Sequence, residues 1–445
     1  PIGRMAGHLL RQFADPRLWA GKMLAELQVN SLSNDNFRLE DSSGREIPAQ
    51  RIQSEAATSN GSRLIFVADL PALGYEVFYL YLKTEEHKSF PAVCVKDEAE
   101  TKILENDRFR IRLNPENGFM DELIDKKHEL NILRRAGAVP SVYNDPHDTW
   151  AHNIFKFDDY LADMEVKDIR LIEEGPVRSA FRVKYAYGES YLWQEFRLYK
   201  DFDYIEVKVR ADWRTPHTQL KLRFPVNFNF RKPTLEIPFG YIEKSANGEE
   251  EPGQSWFDMS GEHFRNNLMY GLAVANDAKY SYSFDIDEMK LTVLRNSVYA
   301  HHDPKKLDPD ALYDYTDDGL QEFTYIMLPH EGGWKDSDIV KRSKEINKRP
   351  DCIIETGHKG NLPTKQAFVK IDAAHVLLTL IKEAEDKDGL ILRFYEYKKQ
   401  SETVTVELLF CKRRFTLDFA PCEIKTVKVP YDISREVKEV NMLEM

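Results

Sequence analysis

The chain has 445 residues, 42% hydrophobic and 31% charged, which suits a soluble globular protein of roughly two to four domains. A formal net charge of −12 opposes phosphate backbones and anionic lipids, arguing against nucleic-acid and membrane partners. No apolar run approaches the ~18 residues of a bilayer-spanning helix, and the four cysteines form no CxxC pair, so they read as reduced, mostly buried thiols of a cytoplasmic protein.

The opening residues lack the uninterrupted apolar core of a secretion signal, and a first Pro in place of Met suggests a processed or trimmed chain. Leu9, Leu10, Phe13, Leu18, Met23 and Leu24 recur at near-helical spacing around Pro16, so residues 1–35 are an unplaced, partly helical segment. From residue 36 the pattern turns to strands. NDNFRLEDSSGREIPAQ and RLIFVADLPALGYEVFYLYL make a small β domain over 36–88. Residues 89–350 form a long strand-dense stretch. FRIRLNPENGFMDELID reads as strand, turn, strand, and three further strands follow across 177–213. There Val207, Val209 and Ala211 alternate with Lys208, Arg210 and Asp212, the period of a sheet with one wet face. Only KDSDIVKRSKEINKR, 335–349, reads as a helix, with an acidic start and a basic end. TGHKGNLPTK then links to a terminal β-sandwich, 351–445, built on HVLLTLIK, GLILRFYEY, TVTVELLF and EIKTVKV. Many strands with almost no helical crossovers argue for large antiparallel sheets packed as sandwiches.

Several stretches in order resemble one known family: LENDRFRIRLNPENGFMDELIDKK, YNDPHDTWAH, PGQSWFDMSG, YGLAVANDAKYSYSFD, LTVLRNSVYAHHDP, QEFTYIMLPHEGGW and GLILRFYEYKKQSETVTVEL. From about residue 36 to the end, the chain resembles the C-terminal half of the bacterial-type glycoside hydrolase family 38 α-mannosidases. The resemblance implies a mainly β fold, a galactose-mutarotase-like super-sandwich flanked by smaller β-sandwich domains. It also implies a role inside a zinc-dependent, retaining α-mannosidase that removes terminal mannose. The family's nucleophile and most zinc ligands lie in an N-terminal domain carrying a His-x-Asp and Trp signature, which is not found here. The expectation is a region that braces and completes the sugar site against its own N-terminal catalytic domain. It carries no catalytic or metal-ligating residue itself, and zinc is held elsewhere in the intact enzyme. Mannose-containing oligosaccharide is the implied partner, inactivity of the isolated chain is expected, and a homo-oligomer is compatible.

Residues 299–304, YAHHDP, place His301 and His302 beside Asp303. Zinc wants three or four ligands on rigid elements, and no third ligand is near in sequence, so the stretch reads as a loop contributing to the sugar site. Arg295, just upstream, can fork onto sugar hydroxyls or brace a carboxylate, or simply close an ion pair at a strand end. NDPHDTWAH crowds Asp145, His147, Asp148, Trp150 and His152 into nine residues. Trp150 offers a flat face to a pyranose, Asp148 and His152 add polar contacts, and an Asp-rich turn capping backbone amides is the structural alternative. LPHEGGW holds His330 and Glu331, an acid–base pair that would serve an aldose epimerase if both side chains met on one sheet face. WFDMSG, 256–261, reads as an exposed aromatic turn. An independent carbohydrate-binding module and, further off, the epimerase stand as alternative functions.

Overall fold

The computed structural model describes residues 21–30, 36–53, 61–82, 88–301 and 306–445. These described residues fall into two compact units, one drawn from 89–236 and 242–347, the other from those up to 88 together with 237–241 and 348–445. No described helix is long and apolar enough to cross a membrane.

The larger unit contains two big antiparallel sheets. A six-stranded sheet runs in the order Tyr160–Asp163, Val139–Asn144, Thr218–Pro225, Glu288–Asn296, Ser281–Asp285, Glu250–Pro252. A nine-stranded sheet contains the consecutive meander Glu165–Glu173, Arg178–Tyr187, Ser190–Tyr199, Ile205–Trp213, then Gly319–Glu331, Met269–Asn276 and Trp256–His263. Alternation explains how they pack. Leu220, Leu222 and Phe224 point to one face of Thr218–Pro225, and Phe224 meets Phe257 and Tyr325 of the larger sheet with ring centres 6.4 and 5.6 Å apart. Val207, Val209 and Ala211 are buried while Arg210 is exposed, as the period-two pattern predicts. A five-stranded sheet over 94–131 joins this unit through the Asn106 side chain, which donates to the Tyr199 carbonyl at 2.7 Å. Gly118 makes its turn at φ 76°, and a Cβ there would lie 2.6 Å from Val183, so only glycine fits.

The second face of the six-stranded sheet is polar yet also buried. Lys221, 1% exposed, reaches Glu250 at 2.5 Å, and the Ser281 and Thr292 hydroxyls donate to the other Glu250 oxygen. Burial alone would push the Glu250 carboxyl up; the Lys221 ammonium and the two hydroxyls outweigh it and hold the carboxyl below its ordinary value.

The smaller unit holds a four-stranded sheet of Val376–Glu383, Gly389–Glu396, Ile424–Pro430 and Lys438–Val440, and a three-stranded sheet of Val369–Asp372, Glu402–Leu408 and Arg413–Phe419. Leu378, Leu392, Phe394, Val404, Val406 and Val427 share one core. The mainly β fold, with a large sandwich and a smaller one, is what the described residues form.

Four readings of the sequence need correction. Met23 and Leu24 do not continue a helix: Gly21–Asn30 is a strand paired along its length with Gly61–Leu70, and Met23, Leu24 and Ala25 are all buried. The earlier members of that spacing, Leu9 to Leu18, lie outside the described residues. WFDMSG is no exposed turn but part of the buried strand Trp256–His263. Its polar Asp258 is inside because His330 and Ser260 donate to it. The cysteines are free, but Cys94 and Cys422 are exposed and Cys352 and Cys411 half-buried. The helix is shorter than its pattern, Ile339–Asn347, after a 3-10 turn at Trp334–Asp336.

Candidate functional site

At one end of the six-stranded sheet three strands finish in register: Asn144 opposite Thr218, and Thr218 opposite Asn296. The chain leaving Asn144 therefore passes close to Arg295, although far from it in sequence. Arg295 donates from Nε to Asp145 Oδ2 at 2.6 Å and from Nη2 to Asp145 Oδ1 at 3.1 Å. Nη2 also reaches the Asp148 carbonyl at 2.7 Å, and Nη1 the Thr149 carbonyl at 3.1 Å. The guanidinium lies 4.8 Å from the centre of the Phe157 ring. The planar fork of arginine suits this bidentate grip on a carboxylate. Asp145 is 0% exposed, so its charge is matched by Arg295 inside the protein.

The loop from Asp145 to His152 is thus fixed by its carboxylates and by Arg295. Asp145 Oδ1 accepts from the His147 amide, and Asp148 Oδ1 from the Trp150 and Ala151 amides at 3.0 and 3.2 Å. These are the turn-capping bonds expected of an Asp-rich turn. The buried Asp148 leaves Oδ2 without a partner among the described residues. Thr149 donates its amide to the Val298 carbonyl and accepts from the Ala300 amide with Oγ1, which ties the loop to the segment leading into YAHHDP. Ala151 and Asn153 adopt φ of 40° and 60°, turning the chain tightly on either side of His152.

What this frame presents outward is aromatic. Trp150 is 56% exposed, with its ring 6.3 Å from that of the exposed His152, and Tyr299 is 64% exposed. His301 is half-buried edge-on to Tyr313, and its Nε2 is buried without a partner among the described residues. The structure therefore brings Arg295, Asp148, Trp150 and His152 into one loop assembly, with His301 on the segment tied to it. His302 and Asp303 lie outside the described residues. Sequence reasoning missed Phe157 and Asp317, whose carboxylate accepts from the Arg295 amide at 3.0 Å. Neither carries a local signal, because each acts only through the fold.

Among the described residues no group of three or more His, Cys, Asp or Glu side chains could hold a metal ion. The described residues therefore do not fit a zinc site. His330 and Glu331 do not converge either. His330 is buried with Nε2 2.7 Å from Asp258, while the neighbouring Glu331 points outward to Lys127 and His128.

Two family models match the chain: the glycosyl hydrolases family 38 C-terminal domain over 104–311, and the family 38 C-terminal beta sandwich domain over 375–445. The chain belongs to glycosyl hydrolase family 38. The site described above lies within the first of these family 38 matches. Alpha-mannosidase G of Dictyostelium discoideum is 24% identical over 80% of the chain and 33% of its own length. Human alpha-mannosidase 2C1 is 28% identical over 50% of the chain and 21% of its own length. The chain thus spans a third or less of these curated relatives. An alpha-mannosidase from Enterococcus faecalis V583 superposes with a TM-score of 0.69 at 10% identity, covering 93% of the chain and 55% of that structure, so the fold is shared.

Proposed function

We propose that this chain is the C-terminal β region of a zinc-dependent, retaining α-mannosidase acting on terminal mannose in the cytoplasm. In that reading the Arg295 end of the large sandwich braces and completes the sugar site, and the chemistry belongs to an N-terminal catalytic domain of the same protein. The observation that carries it is the Arg295–Asp145 grip. It fixes a loop that offers Trp150, an apolar face suited to the C–H side of a pyranose, beside His152. The membership in family 38 supports the substrate class.

The test is an aryl α-mannoside assay of this chain with added zinc. No turnover is expected, and turnover that a chelator abolishes would overturn the reading. The exposure of Trp150 also favours a second reading, a carbohydrate-binding module. Titrating the chain with mannose oligosaccharides separates the two: saturable binding without any catalytic partner supports the module.

A further inference from the structure

A short strap crosses the polar face of the six-stranded sheet. The Glu250 amide donates to the Phe155 carbonyl at one edge, and the Asn144 amide to the Asp159 carbonyl near the other, both at 2.8 Å. Between these ties Phe157 packs on the Arg295 guanidinium, and just beyond them the Tyr160 ring meets Tyr143 edge-on at 5.9 Å. Residues 154–159 form no regular secondary structure, and Phe155 is 66% exposed, so the outer side of the strap meets solvent.

Underneath, two polar side chains are left open. Tyr143, Gln219 and Arg295 stand in one row across three strands. Gln219 is 1% exposed, and its Oε1 is buried without a partner among the described residues. Tyr143 is 3% exposed, and its hydroxyl makes no hydrogen bond among the described residues. Burial pushes that hydroxyl well above its ordinary pKa, so it stays neutral and can both donate and accept. Buried polar groups in folded proteins are almost always paired, so two open neighbours mark a place that another molecule fills.

The charges around them say which kind. Lys221 is matched by Glu250, Lys290 by Asp285, Arg223 by Glu288 and Arg295 by Asp145. A charged ligand would have to break one of these pairs to enter. An amide beside a phenol, each able to donate and accept, suits neighbouring hydroxyl groups, and the Phe157 ring suits the C–H side of a sugar. We propose that the strap closes over a binding site for a neutral polyhydroxyl ligand, a hexose, whose hydroxyls Gln219 and Tyr143 hold. The site is distinct from the Trp150 face, which precedes the strap in the chain, and it does not rest on the bracing role of Arg295.

Isothermal titration of the chain with methyl α-mannoside tests this. Saturable binding in the millimolar range is expected, with slower hydrogen exchange in peptides spanning Asn144 and Glu250, whose amides report the strap. Gln219→Leu and Tyr143→Phe each weaken binding by about tenfold or more, while the melting temperature holds or rises because an unpaired buried group is gone. Trp150→Ala leaves this binding unchanged; loss of binding there instead would assign the sugar to the Trp150 face and overturn the proposal. It is equally overturned by no saturable binding, by exchange unchanged in both peptides, or by Gln219→Leu and Tyr143→Phe lowering the melting temperature but not the affinity. Those outcomes would show that bound water alone fills the gap.

Discussion

Arg295 and Asp145 stand 150 positions apart in sequence, yet two guanidinium nitrogens meet both carboxylate oxygens, at 2.6 and 3.1 Å. Asp145 is wholly buried and Arg295 is 21% exposed at its side chain, so the pair is a clamp between a strand end and the loop that follows Asn144. One arginine thereby fixes the backbone that carries Trp150.

Removing the arginine strands a buried carboxylate and frees two carbonyls. Arg295→Ala is expected to lower unfolding free energy by about 2–4 kcal/mol in urea titrations, the lower part of the range reflecting the clamp's partial solvent access. Arg295→Lys keeps the charge but loses the fork, so it is expected to recover only part of that loss. Equal stability of the alanine variant and the parent would mean the clamp does not hold the loop.

Trp150 separates function from folding. More than half exposed at 56%, its truncation to Ala is expected to change stability by no more than about 0.5 kcal/mol. In the complete enzyme the same change is expected to raise KM for an α-mannoside several-fold, because a stacking face for the sugar is gone. A large drop in melting temperature with KM unchanged would make Trp150 a packing residue.

The large architecture was legible where pattern and burial agree. Burial alternates over Ser190–Glu195 and Val207–Trp213, as half-buried strands should, while Arg178–Phe181 and Phe196–Tyr199 are buried on both faces. Reading failed where tertiary contacts override composition. Trp256–His263 looks like a turn because Asp258 and Ser260 interrupt it, yet those polar side chains are buried against His330. Gly21–Asn30 hid because three consecutive buried residues carry neither period cleanly. At the candidate site, the individual residues Arg295, Asp148, Trp150 and His152 were visible as chemistry. Their pairing was not, since it depends on strand register across the six-stranded sheet.

In the smaller unit, Asp41 supplies a pH dependence. Burial alone would raise its carboxyl; the Ser43 hydroxyl, the Arg45 and Ser43 amides and the Arg45 guanidinium outweigh that and lower it to about 2. Its folded value lies below its unfolded one, so the stabilisation is complete above about pH 4 and is lost as pH falls toward 2. Asp41→Asn is expected to remove that part of the acid slope in melting temperature against pH. At neutral pH the cost is about 1–2 kcal/mol, after allowing for solvent at the turn. Identical acid limbs in both proteins would show that the turn contributes nothing.

Gly271 and His330 bear on the epimerase alternative. A Cβ on Gly271 would lie 2.3 Å from the His330 ring and 2.6 Å from Ser260 Oγ. The ring cannot retreat freely, because it is buried on its bond to Asp258, itself bonded to Ser260. Gly271→Ala is therefore expected to destabilise by about 1–3 kcal/mol through overpacking, read from denaturant midpoints. The same closed packing leaves His330 no route to a sugar. The parent chain is expected not to accelerate anomer interconversion in a polarimeter, and a rate that fell in Gly271→Ala would place acid–base chemistry at His330 after all.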